Sequence, residues 1–315
     1  MNFSLGLSPV TAIYQGADRV WPVANISITS GSGYVGSVYT STIADQWYAD
    51  GVAIPGETGA TFTMTAEYEG AAIKCGNSNV IRMWMPSDLA SVNAVWDALY
   101  GVTESGGTVT DWGARFGGAR ATQVTASRQP ALQALGGLMW LDFDGAYERL
   151  ETDVYNGTTR EVHLGVRVSS ANAATNQIVY GAMSGASNSG GIDSRSYVAV
   201  TSDGYLSMCV GNMTTGSWSP HENSIFDTDV VVGFSHDAAG NLSLYVDGVS
   251  VGTTVNTGHS APLNPSRIAD LNHPLWDDFN TKGRFYGICD VPQILSDADR
   301  ANVISWLAAR QGRVL

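Results

Sequence analysis

Along most of this chain apolar and polar residues alternate in short runs, with the two-residue period of a half-buried strand. Ile26 and Ile28 alternate with polar neighbours, a second run covers Val35 to Thr42 after a glycine turn, and Thr61-Phe62-Thr63-Met64 repeats the pattern. Further on, Val162-His163-Leu164-Gly165-Val166-Arg167-Val168, Tyr197-Val198-Ala199-Val200 and Tyr205-Leu206-Ser207-Met208-Cys209-Val210 alternate again. Val230-Val231-Val232-Gly233-Phe234 is apolar throughout and reads as a strand buried on both faces. Two turns, Asp50-Gly51 and Asp247-Gly248, signal tight hairpins, because a two-residue hairpin turn needs left-handed backbone that Asp and Gly adopt readily. The period changes at the C-terminal end. Ser296 can cap a helix there, Asp299 completes a capping box, and Asp297 suits the positive N-terminus. Val303, Ile304, Trp306 and Leu307 then form one apolar face, Arg310 complements the C-terminus, and Gly312 ends the helix. The pattern predicts an all-β protein with one closing helix.

A chain of 315 residues is too long for one small sandwich and suits a small domain followed by a large one. Residues 1–24 predict a hairpin, Val10–Gln15 against Arg19–Pro22 across Gly16-Ala17-Asp18. Two strands alone are marginal in water, so this anchoring hairpin needs another domain or subunit, unless it is the first hairpin of the next domain. In residues 25–86 a Trp47 strand, an Asp-Gly hairpin and a Cys75 strand follow in the order that an immunoglobulin-like sandwich requires. Met85-Pro86-Ser87-Asp88 marks the boundary. Residues 87–315 show strands at roughly ten-residue spacing with Gly and Asn turns, which suits one large two-sheet jelly roll.

Three stretches carry resemblances. "QWYADGVAIPGETGATFTMTAEYEGAAIKC" resembles the Ig-like repeats of bacterial and phage surface proteins. It departs from antibody domains in having no cysteine near Val38 and in placing Ile73 where a corner tyrosine would stand, so the resemblance implies a disulfide-free spacer built on Trp47. The first twenty or so residues resemble an N-terminal segment common on phage structural proteins. "VWDA", "VTDWGARFGGARATQVTASRQPAL" and "LDFDGAYERL", then "GFSHDAAGNLSLYVDGVSVGTT" and "RFYGICDVPQILSDADRANVISWLAARQG", resemble laminin-G-like (concanavalin A-like) lectin domains of bacteria and phages. Together they imply a virion appendage, a fibre or spike on the tail or head of a tailed phage or phage-like particle. Its N-terminal segment would dock on other virion proteins and its jelly roll would meet host cell-surface polysaccharide. Homo-oligomerisation would suit this, because weak sugar sites gain from multivalency.

Charge narrows the partners. The net charge is -13, so a phosphate backbone would be repelled and nucleic acid is not an expected partner. The start, Met1 to Pro9, has no basic region and no apolar core of a signal peptide, and no apolar run approaches the roughly 18–20 residues of a membrane span. The expectation is a virion protein assembled in the host cytoplasm, without membrane insertion. Cys75, Cys209 and Cys289 are odd in number and far apart, which fits buried thiols better than disulfides or a zinc site. Gly31-Ser32-Gly33-Tyr34-Val35-Gly36 fits a dinucleotide fingerprint but leads into a β-branched, aromatic run instead of a helix.

No nucleophile elbow or H-E-x-x-H pattern is present, and no catalytic residue is expected. Asp142 and Asp144 in "LDFDG" would face one side of a strand, as the paired acids of a jelly-roll glycosidase do, which leaves a polysaccharide depolymerase as one alternative. Asp144-Gly145 also reads as a turn that the Asp side chain caps. Asp277 and Asp278 are the best candidates for a calcium ion, with Asn280 beside them. Sugar binding calls for an exposed aromatic face with amide, carboxylate or imidazole groups nearby. Two loops offer that combination, one with Trp218, His221 and Asn223, the other with Trp276, Asp277 and Asn280. Trp112 falls inside the lectin-like motif and is assigned to the core. A purely structural decoration protein that binds no glycan is the other alternative.

Overall fold

The computed structural model describes residues 4–5, 8–9, 13–15, 18–21, 26–30, 35–155, 157–184, 194–211, 217–218, 223–255, 265–270 and 280–315. The chain divides into two compact units, Met1–Trp84 and Met85–Leu315.

In the first unit Ser4–Leu5 pairs with Ser8–Pro9, and Ile13–Gln15 pairs with Asp18–Trp21. A three-stranded antiparallel sheet follows, formed by Ile28–Ser30, Val38–Ser41 and Thr61–Thr63. A four-stranded sheet is formed by Ile81–Arg82, Ala72–Cys75, Trp47–Ala49 and Val52–Ala53, in that order. Ile28, Tyr39, Trp47, Phe62, Met64, Ile73 and Cys75 are packed in one core. Trp47 and Cys75 stand opposite each other in the ladder, and the thiol is free. The Asp50-Gly51 turn takes left-handed backbone at both positions, with φ of 49° and 82°, as the hairpin signal requires. Gly36 leads into the strand Val38–Ser41, so the fingerprint glycine opens no helix, while residues 31–34 lie outside the described ones.

The second unit is one continuous antiparallel ladder folded into two sheet layers over one core, and Ala131–Leu135 joins the layers by pairing with Leu138–Asp144 and, through Ala131, with Thr108. One sheet centres on Lys282–Val291, flanked on one side by Leu138–Asp144 and Ala94–Asp97 and on the other by Arg160–Val168. Beyond Arg160–Val168 it continues through Val230–His236, Asn241–Val246 and Val249–Val255. The other sheet runs Val102–Ser105, Thr108–Gly113, Arg120–Thr122, Leu150–Tyr155, Pro265–Ile268, Gln177–Ser184, Ser194–Val200, Leu206–Gly211 and Ser217–Trp218. Trp96, Trp112, Phe143, Leu164, Val200, Met208, Phe234 and Phe285 fill the space between them. Trp112 is fully buried and its Nε1–H donates to the Asp97 carbonyl, so it is a core residue. The architecture is all-β with a single α-helix among the described residues, as the periodicity predicts.

That helix, Asp297–Arg310, packs on the outer face of the first of these sheets. Its Ser296 cap accepts from the Asp299 N–H at 3.1 Å. Gly165 and Gly287 face each other across the ladder beneath the helix; a Cβ on Gly287 would crowd the Trp96 carbonyl oxygen at 3.0 Å and Leu307 Cδ2 of the helix at 3.3 Å. Arg310 stands in the last turn, as the sequence expectation has it. It is also buried there, with Nε 3.0 Å from Asp97 Oδ2, and its guanidinium lies over Trp306. Buried Asp97 thus has two cations against it, Arg115 and Arg310.

Candidate functional site

The described residues bring together a site that none of the sequence candidates marks. The strand Leu150–Tyr155 alternates without a break: Leu150, Thr152 and Val154 are buried, while Glu151, Asp153 and Tyr155 are exposed. The ladder registers carry that exposed face sideways. Thr103 pairs with Asp111, Asp111 with Thr122, Thr122 with Glu151, and Glu151 with Arg267. Five strands thus place hydroxyl, carboxylate and guanidinium groups in one row across the outer surface of the sheet. Thr103, Asp111, Thr122 and Glu151 of this row line a groove of about 910 Å³, with Arg120, Gln123, Asp153 and the 95% exposed Val124 also on its walls.

The polar groups of the groove are held by partners. Arg120 donates from its guanidinium to Asp111, and its backbone N–H donates to Asp153 Oδ1 at 2.8 Å. The hydrogen bond to Asp111, and then its charge, raises the Arg120 pKa. Glu151 Oε1 accepts from Arg267 Nη2 at 2.8 Å, and Arg267 Nη1 also reaches Asp270, which pairs with Arg149. Burial, followed by the neighbouring Arg149 charge, lowers the Arg267 pKa. Beneath, the Gln129 Nε2–H donates to the Gln123 carbonyl and Gln129 Oε1 accepts from Thr108 Oγ1. Such fixed partners pre-organise the groove, so a ligand meets donors and acceptors already in place. Asp153 also borders an adjoining hollow of about 280 Å³, whose wall includes Asn93, Gly117 and Tyr155. Tyr155 is 62% exposed, an aromatic side chain two residues beyond Asp153 on the same strand face.

The sequence candidates fall differently. Trp218 lies on the edge strand Ser217–Trp218, paired with Met208, and nothing of its side chain is described. His221, Trp276, Asp277 and Asp278 lie outside the described residues, and the calcium reading goes with them. Asn223 is exposed. Asn280 is only 4% exposed and its carbonyl accepts from Asn172 Nδ2, so it serves the packing at a strand entrance and is not a surface sugar contact.

Asp142 and Asp144 do share one face, on either side of the buried Phe143. They line a hollow of about 430 Å³ with Arg167, Ser169, Lys282 and Arg284. Register sets Asp142 opposite Arg284 and Asp144 opposite Lys282, so each acid faces a cation on the next strand. Asp144 Oδ1 accepts from the Ala146 N–H at 2.6 Å, which is the turn-capping role. Nearby Glu148 accepts from the Asp144 N–H, and its pKa is pushed from 4.5 up to about 7, by burial first and by the Asp144 and Asp142 charges after it. The folded state therefore holds a proton that the unfolded chain releases between pH 4.5 and about 7. Stability is expected to fall as pH rises through that window, by less than about 1.4 kcal/mol per unit because the group is partly solvated. Urea denaturation at several pH values should show this slope in the parent and lose it in Glu148→Gln.

No family model matches the chain, and no curated protein matches it by sequence. Among solved structures it is similar to a Trypanosoma rangeli sialidase in complex with sialic acid, at 10% identity and a TM-score of 0.49, over 69% of this chain and 32% of that one. It is also similar to the binding domain of botulinum neurotoxin serotype G, at 9% identity and a TM-score of 0.44, over 70% of this chain and 51% of that one. A third likeness is to the CBM40 of a Ruminococcus gnavus IT-sialidase bound to alpha2,3 sialyllactose, at 10% identity and a TM-score of 0.39, over 48% of this chain and 84% of that one. The chain spans about a third of the length of the sialidase. At these scores none of the likenesses assigns it a ligand or an activity.

Proposed function

We propose that this chain is a structural virion appendage, a fibre or spike of a tailed phage or phage-like particle, and that its large β-sandwich attaches to host cell-surface polysaccharide without cleaving it. The observation that carries the binding reading is the groove lined by Thr103, Asp111, Thr122 and Glu151. A sugar hydroxyl is both donor and acceptor, and the groove sets Arg120 as donor beside Asp111 and Asp153 as acceptors and threonine hydroxyls as either. Tyr155 adds an exposed ring on which a pyranose can lie. The particle-docking part is assigned to the N-terminal strand pairs, each only two strands wide and so in need of a partner surface. Oligomerisation on the particle would multiply weak sugar contacts.

Calorimetric titration of the purified chain against capsular polysaccharides and lipopolysaccharides tests the reading. Tyr155→Ala and Arg120→Ala are each expected to weaken binding about tenfold while the melting temperature stays unchanged, since both side chains are on the surface. No reducing ends should accumulate, and Asp142→Asn and Asp144→Asn should leave binding intact. Release of reducing ends that these two substitutions abolish would establish the depolymerase instead. Absence of binding to every polysaccharide would leave a decoration protein.

A further inference from the structure

The groove's charges go further than a general affinity for sugars. Three carboxylates line it, Asp111, Glu151 and Asp153, against the single lining cation Arg120. That cation is already engaged, because Asp111 accepts from its guanidinium. The nearest further cation, Arg267, is committed to Glu151 and Asp270 and is largely buried. An acidic substituent entering the groove must therefore take Arg120 from Asp111 or lie against Asp153, and either leaves like charges in contact. The chain's net charge of -13 adds repulsion at longer range. A neutral hydroxyl meets no such conflict, and an ammonium group is attracted.

Resting on the glycan-binding reading of this groove, we infer that it selects polysaccharides without acidic groups and excludes those bearing carboxylate, sulfate or phosphate. Asp111 and Asp153 set the exclusion: they accept from neutral hydroxyls and repel anions. Arg120 is a hydrogen-bond donor here, and Asp111 keeps it from acting as an anion clamp.

The experiment uses matched probes with free C6 hydroxyls: pullulan, galactomannan and 1,4-linked galactan, each as the neutral polymer and with part of its primary alcohols oxidised to carboxylates. Affinity electrophoresis of the full chain is expected to show binding of at least one neutral polymer, and about tenfold weaker binding of its oxidised form at low salt. Raising salt from about 0.01 M to about 1 M, which shortens the screening length from about 30 Å to about 3 Å, should narrow that gap. The double substitution Asp111→Asn with Asp153→Asn should narrow it at low salt, with an unchanged melting temperature as the folding control. Equal or tighter binding of the oxidised form would overturn the inference while leaving the glycan reading in place. Neutral binding that Arg120→Ala does not weaken would place the site off the groove and overturn the inference too. Failure of every polymer in both forms would sink the glycan reading itself.

Discussion

Asp290→Ala is expected to destabilise the large sandwich by about 3–5 kcal/mol, because it strands a buried guanidinium. Asp290 lies on the central strand of one sheet and is fully buried. Its Oδ1 accepts from Arg160 Nε at 3.0 Å and from Asn93 Nδ2 at 2.9 Å, and its Oδ2 accepts from the Tyr180 hydroxyl at 2.8 Å. Arg160, equally buried, also donates to Ser266 Oγ at 3.0 Å. Tyr180 and Ser266 belong to the other sheet, so this cluster joins the two through the apolar core. Burial, then the Asp290 charge, holds the Tyr180 hydroxyl well above its ordinary pKa and hence protonated as a donor. Removing the carboxylate leaves Arg160 with no opposing charge in a low dielectric. The double variant Arg160→Met with Asp290→Ala separates that penalty from the worth of the pair. With no charge left behind, it should recover most of the loss and fall within about 2 kcal/mol of the parent. Urea denaturation followed by tryptophan fluorescence gives both values. A double variant as unstable as Asp290→Ala alone would mean that packing, and not charge, sets the cost.

Ladder register explains why the groove is hidden in the sequence while the sheets are not. Alternation is local, so runs such as Val162–Val168 are legible residue by residue, and so are the Asp50-Gly51 turn and the Ser296 cap. The groove is not local. Its Thr103, Asp111, Thr122 and Glu151 come from four strands, and only ladder register makes them neighbours. "LETDVY" does carry one signal, an acid-acid-tyrosine set on the polar face of a strand, but alternation alone cannot separate a binding face from a solvated one. Arg310 shows the same limit, since its partner Asp97 lies at the other end of the domain sequence. Among its loop neighbours Asn280 is an expected sugar contact. It is buried because the following strand, Lys282–Val291, is the central one of its sheet and draws its entrance inward.

Trp47→Ala is expected to unfold the small sandwich outright. Trp47 is fully buried, its ring centroid 5.7 Å from Phe62 and 6.4 Å from Tyr39, and its Nε1–H donates to the Gly59 carbonyl at 2.8 Å. Truncating so large a core side chain costs about 3–5 kcal/mol. A domain of some 60 residues has about that much stability in all, and here no disulfide supports it because Cys75 opposite is a free thiol. Limited proteolysis with mass-spectrometric mapping should find new cleavage between residues 35 and 84 in Trp47→Ala. Trp47→Phe keeps an aromatic ring and forfeits chiefly the bond to Gly59, so it should remain resistant at moderate protease. Cleavage of both variants alike would make the Gly59 hydrogen bond the decisive contact. Resistance of both would move the centre of the core to Tyr39 and Phe62. Every groove residue lies in the other unit, so polysaccharide binding by the uncut Trp47→Ala chain should persist. A small sandwich that can be melted without loss of binding is what a spacer predicts, whereas a binding module would lose its ligand with its core.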